Sequence, residues 1–102
     1  MAVTRVIRYR TSAEGAEENA RLVAAVFAEL EADGPEGIRY TALRMDDGVT
    51  FLHVAVLEGD DNPLQSSPAF AAFQGGLADR VEEGPSAAAA TVVGTYGGAI
   101  GG

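Results

Sequence analysis

The chain has 102 residues, 47% of them hydrophobic, which fits one domain built around a single core of modest size. Fifteen acidic residues stand against seven arginines, with no lysine, and the net charge of −8 works against phosphate backbones and anionic lipid, so neither nucleic acid nor a membrane surface is expected as a partner. There is no cysteine, which excludes disulfides, thiolate metal ligands and cysteine nucleophiles.

Residues Val3 to Arg10 mix β-branched and aromatic side chains with arginines in partial alternation and predict a first strand. The opening run lacks the long apolar segment of a signal peptide, and no window reaches the roughly 20 apolar residues that span a bilayer, so a cytoplasmic protein is expected. From Thr11 the period changes to that of a helix. Thr11 and Glu14 have the spacing of a capping box, with Ser12 as an alternative cap. Val23, Val26, Phe27 and Leu30 share one helical face, which Ala16, Ala20 and Leu22 extend, while Glu17, Glu18, Arg21, Glu29 and Glu31 solvate the other. Gly34 followed by Pro35 marks the end of this helix.

Two strands follow, about Ile38 to Met45 and Val49 to Glu58, joined at Asp47-Gly48 by what reads as a two-residue hairpin turn. The second of them is apolar on both faces: Phe51, Ala55 and Leu57 on one, Leu52, Val54 and Val56 on the other. Ser67-Pro68 then has the form of a helix start, a capping hydroxyl before a proline at the first helical position. Phe70, Phe73, Leu77 and Val81 make an apolar stripe along that second helix. Gly75-Gly76 interrupts it, which suggests either a kink or a close backbone approach. "EGPSAAAA" reads as a connector and Ala90 to Tyr96 as a last short strand, apolar on both faces at Val92 and Val93. Residues 1–96 are expected to form the domain and 97–102 a glycine-rich tail.

The order βαββαβ is that of the ferredoxin-like split βαβ fold, an α+β architecture with an antiparallel four-stranded sheet and both helices on one face. Two helices cover only one side of such a sheet. An apolar second side is the kind of patch that monomers avoid, so the expected partner is a second copy of the chain, sheet against sheet.

With these elements in place the sequence resembles the antibiotic biosynthesis monooxygenase-like family of the dimeric α+β barrel superfamily. The resemblance rests on the acidic end of the third strand, "VLEGDDNPL", on "SSPAFAAFQGGLADR" at the second helix and on "VVGTY" near the end, and it spans Val3 to Tyr96. It implies a homodimer of ferredoxin-like protomers and oxygen chemistry on hydroxylated aromatics or quinols with no cofactor. The same superfamily holds small proteins without catalytic activity, so a non-catalytic dimer that binds a small ligand or serves in stress stands as the alternative.

His53 is the single histidine and the one side chain whose ordinary pKa lies near neutrality, which makes it the candidate acid or base: it could take a proton from a phenolic substrate and leave a carbanion-like species open to oxygen. A hydrogen-bonded structural histidine is the other reading. Tyr40, Tyr96, Phe70 and Phe73 are the candidate walls of a pocket for a small aromatic ligand, and Arg8 a candidate to orient an anionic oxygen; each also suits a plain core, interface or ion pair. The acids at Glu58, Asp60 and Asp61 read as a solvated loop, and one histidine with scattered carboxylates gives no ligand set, so no metal and no cofactor are expected.

Overall fold

A computed structural model of the chain describes residues 3–59 and 62–97. Strand β1 (Val3–Thr11) leads to helix α1 (Ala16–Asp33), strands β2 (Ile38–Arg44) and β3 (Thr50–Leu57), and a 3-10 turn (Pro63–Ser66). Helix α2 (Pro68–Gly75), the short helix α3 (Leu77–Arg80) and strand β4 (Val81–Ala90) complete the chain. The strands form one antiparallel sheet in the order β2-β3-β1-β4. This is the α+β ferredoxin-like arrangement, with the helices packed on one side.

Helix α1 begins later than the capping-box spacing suggests. Thr11 is still in β1, where its hydroxyl reaches the carbonyl of Val49, and Ser12 Oγ accepts from the amide of Gly15, so the chain makes a turn before the helix starts at Ala16. Its end is as expected: Gly34 takes the left-handed conformation and returns its N–H to the carbonyl of Leu30. The β2–β3 connection is longer than a two-residue turn, because that turn needs positive φ at both central residues and only Gly48 has it. Asp47 instead accepts from the amides of Val49 and Thr50 and from the Thr50 hydroxyl, bonds that hold its carboxyl down at about 2.

Ser67 caps α2 as its sequence suggests, accepting from the amide of Phe70 while donating to the carboxylate of Glu29 on α1. The same carboxylate accepts from the amide of Ala69. One α1 side chain therefore completes the N-terminus of α2 and fixes the two helices together. Ser67→Ala is expected to cost about 1 kcal/mol and to lower the melting temperature by several degrees in a thermal denaturation experiment.

The glycine pair divides what reads as one helix into α2 and α3. Gly76 caps the first, so the break expected at the pair is there, and a β-carbon placed on Gly76 would stand 2.8 Å from a guanidinium nitrogen of Arg80, a side chain rather than the sheet or a ligand. The last strand lies elsewhere than expected. It is Val81–Ala90, which takes in the stretch 83–90 read as a connector and Val81, read as the end of the helical stripe, whereas residues 91–97 form no strand and Val93 and Tyr96 are fully exposed. Pairing with the free edge of β1 decides this: β4 follows β1 from Thr11 to Thr4, with register shifts around Gly84-Pro85 that absorb a residue unable to donate to the ladder. The glycine-rich tail from residue 98 onward lies outside the described residues, as do Asp60 and Asp61.

The core lies between the helices and the inner face of the sheet, around Tyr9, Val23, Val26, Phe51, Leu64 and Phe73. On the opposite face Val6, Leu52, Val54 and Val56 are only half-buried. Among the described residues no helix is long and apolar enough to cross a membrane.

Candidate functional site

Strand pairing sets the site. Tyr9 on β1 lies opposite Phe51 and Tyr40 on β2 lies opposite Ala55, so each tyrosine is diagonal to His53 on the strand between them. Period two sends all three side chains to the helix-covered face. There His53 Nε2 is 2.8 Å from the Tyr9 hydroxyl and Nδ1 is 2.5 Å from the Tyr40 hydroxyl. Phe73, from α2, stacks on the imidazole at 5.5 Å between ring centroids.

The network continues into the helices. Asn19 of α1 donates from Nδ2 to the Tyr9 hydroxyl at 2.8 Å, and its Oδ1 accepts from Arg80 Nε at 3.2 Å. Arg80 also donates to the carbonyl of Phe73 at 2.7 Å and lies over that ring. Five side chains from five elements thus form one line: Arg80, Asn19, Tyr9, His53, Tyr40. Asn19 is 0% exposed, Tyr9 1% and His53 2%, and no buried side-chain polar atom among the described residues lacks a partner. No described carboxylate forms an ion pair with Arg80.

Burial keeps the line neutral apart from its guanidinium. It pushes His53 down to about 4 and Tyr9 up to about 12, the Asn19 bond and the Arg80 charge opposing the second shift without reversing it. Tyr40 is also raised, by burial first and then by Tyr9.

Tyr40 is the member that meets a cavity. A pocket of about 220 Å³ opens between the C-terminal half of α1 and the start of β2, lined by Phe27, Leu30, Glu31, Pro35, Ile38 and Tyr40. Phe27 and Tyr40 stack at 5.0 Å along its wall. The volume is below the roughly 300–1,000 Å³ usual for drug-sized ligands and suits one or two rings.

Of the residues singled out from the sequence, His53 lies at the centre of the line with both nitrogens occupied, and Tyr40 lines the pocket. Phe73 supports the imidazole from the core and Phe70 packs behind it at 5.9 Å, neither lining the pocket. Arg8 is on the other side of the sheet, exposed and paired with Glu83 at 3.3 Å. Tyr96 lies beyond β4 and away from the site. Asn19, Arg80 and the role of Tyr9 escaped the sequence reading. One signal was present: Asn19 falls on the α1 stripe Ala16, Val23, Val26, where a polar residue is buried and needs partners.

No protein-family model matches the sequence, and no curated protein is significantly similar to it. Solved structures are similar throughout. A candidate antibiotic biosynthesis monooxygenase from Bacteriodes thetaiotaomicron superposes with a TM-score of 0.77 at 16% identity, over 90% of each chain. The chain has the antibiotic biosynthesis monooxygenase-like fold. A second protein of this fold, SnoaB from Streptomyces nogalater, a cofactor-independent oxygenase seen in a mutant form, is 22% identical with a TM-score of 0.66, over 95% of this chain and 98% of its own. Rv0793 from Mycobacterium tuberculosis aligns at 13% identity and a TM-score of 0.73 over 93% and 98%.

Proposed function

We propose that the protein is a homodimeric, cofactor-independent monooxygenase that acts on a small hydroxylated aromatic or quinol bound against Tyr40. The observation that carries this reading is the contact of an aromatic-walled pocket with a buried tyrosine–histidine line through one residue, Tyr40. A ring entering between Phe27, Leu30 and Ile38 brings its oxygen substituent to Tyr40, and His53 acts on it only at one remove. Holding that oxygen raises the acidity of the conjugated ring positions. Water at the open mouth of the pocket takes the proton, and the resulting carbanion reacts with dioxygen: the CH2 of the keto-form ring becomes C=O, and the second oxygen atom leaves as water with the remaining ring hydrogen and a proton returned by solvent. The likeness to SnoaB supports this chemistry by analogy of fold.

Oxygen uptake with a panel of one- and two-ring quinols tests it. Uptake above the buffer rate is expected for the wild type, with at least a hundredfold loss in Tyr40→Phe. Uptake that Tyr40→Phe leaves unchanged would move the reaction to another site. No uptake with any member would favour the second reading, a non-catalytic ligand-binding dimer, which has in its support that His53 is fully bonded and shielded from the pocket.

The outer sheet face supports the dimer. Val6, Leu52, Val54 and Val56 occupy it, and the helices do not reach it. Static light scattering after gel filtration is expected to return twice the chain mass, and Val54→Asp, which sets a charge in the middle of that face, to return a monomer. A monomeric wild type would remove the dimer from the proposal.

A further inference from the structure

We infer that the buried line is polarised from Arg80 to Tyr40, so that Tyr40 meets its ligand as a hydrogen-bond donor and the site selects ligands that present an acceptor oxygen there, a phenolate or a quinone carbonyl. The inference rests on the pocket beside Tyr40 being the ligand site proposed above.

Each step follows from what the neighbouring group can do. A guanidinium has only donors, so the Asn19 atom facing Arg80 Nε is the carbonyl oxygen and the amide nitrogen faces Tyr9. The Tyr9 oxygen accepts there. Its single proton has one other described partner, His53 Nε2, and Tyr9 is buried away from water, so Tyr9 donates to Nε2. A neutral imidazole that accepts at Nε2 carries its proton on Nδ1, and this donates to the Tyr40 oxygen. The Tyr40 proton then has no described acceptor and is left for the occupant of the pocket. In this arrangement neither imidazole nitrogen can take a proton from a substrate through Tyr40. The line stabilises negative charge on a ligand oxygen and does not act as a base. Arg80 and Asn19 are positioning residues: they touch no ligand and set the tautomer of the histidine between two tyrosines.

The single histidine makes the tautomer readable without ambiguity by 15N–1H NMR correlation of its ring. The wild type is expected to carry the proton on Nδ1. Asn19→Asp replaces the donor amide with a carboxylate of the same shape, which still accepts from Arg80 but now also accepts from Tyr9. Tyr9 must then accept from His53 Nε2–H, Nδ1 must accept from Tyr40, and the proton is expected to move to Nε2. A wild-type ring protonated on Nε2 overturns the inference, and so does an Asn19→Asp ring that stays on Nδ1. If that variant does not fold, the wild-type tautomer alone decides. The ligand preference is read separately with 4-nitrophenol, whose two ionisation states differ in colour. Bound probe is expected to be enriched about tenfold or more in phenolate, and Tyr40→Phe to abolish the enrichment without altering the net charge. Equal binding of the two forms, or no binding of either, overturns the donor end and the ligand class. Absence of oxygen uptake bears on the proposed reaction alone, since the tautomer is measured with neither ligand nor oxygen.

Discussion

Tyr9→Phe is expected to destabilise the protein by about 3 kcal/mol, although it removes one oxygen atom and leaves the ring in place. The reason is what that oxygen holds. Without it the Asn19 amide loses its acceptor and His53 Nε2 loses its donor, and each buried group left unpartnered costs about 1–3 kcal/mol. Water cannot substitute, since Tyr9, Asn19 and His53 are all sealed from solvent and the deletion of one hydroxyl makes no room for it. Tyr40→Phe provides the contrast. It orphans only the His53 Nδ1 side, beside a pocket that water can enter, and about 1 kcal/mol is expected. Urea denaturation of the two variants gives the comparison, and against a typical stability of about 5–15 kcal/mol the larger loss is easily resolved. Equal losses would mean that the packing of the rings governs stability at these positions and that the network contributes little.

That difference between two tyrosines could not have been read from the chain. Period and caps identified α1, α2, β1, β2 and β3, because each carries its own signal: the 16–30 stripe, Gly34, Ser67-Pro68, and β-branched runs bounded by turns. Strand β4 carries none. Glycine, proline and four consecutive alanines have little preference for a strand, and only the unpaired edge of β1 makes one of them. Val92 and Val93, the better strand formers, lie beyond the last residue of β1 that the ladder reaches, Thr4 opposite Ala90. The site divides in the same way. His53 and Tyr40 stand out by residue type, whereas the place of Tyr9 depends on the β1–β3 register, and Arg80 joins the line because the break at Gly75-Gly76 turns it inward. Tertiary pairing supplies both, and no local pattern encodes it.

Acidification is expected to weaken the fold through His53. Burial lowers its pKa from 6.5 to about 4, so between those values the unfolded chain takes up a proton that the folded chain refuses. The stabilisation is complete above pH 6.5 and is lost as pH falls from there through about 4. The difference between the two values corresponds to about 3 kcal/mol, of which about 2 kcal/mol is lost between pH 6.5 and 5. The polar groups around the imidazole do not titrate in this window: Tyr9 and Tyr40 both stay neutral and Asn19 has no titratable proton, while Asp47, in the exposed β2–β3 turn and held at about 2, loses its contribution only under more acid conditions. Urea midpoints at pH 7 and pH 5 for the wild type and His53→Gln therefore isolate the effect, and a slope that survives in the variant would assign it elsewhere. The cost has a structural counterpart. Protonation puts a second N–H on the ring at Nε2, facing the proton that Tyr9 donates, while the amide of Asn19, fixed by Arg80, prevents Tyr9 from turning that proton toward the helix. The same polarity that leaves Tyr40 a donor makes the imidazolium unacceptable at its other nitrogen, so acid stability and ligand preference depend on one arrangement of protons.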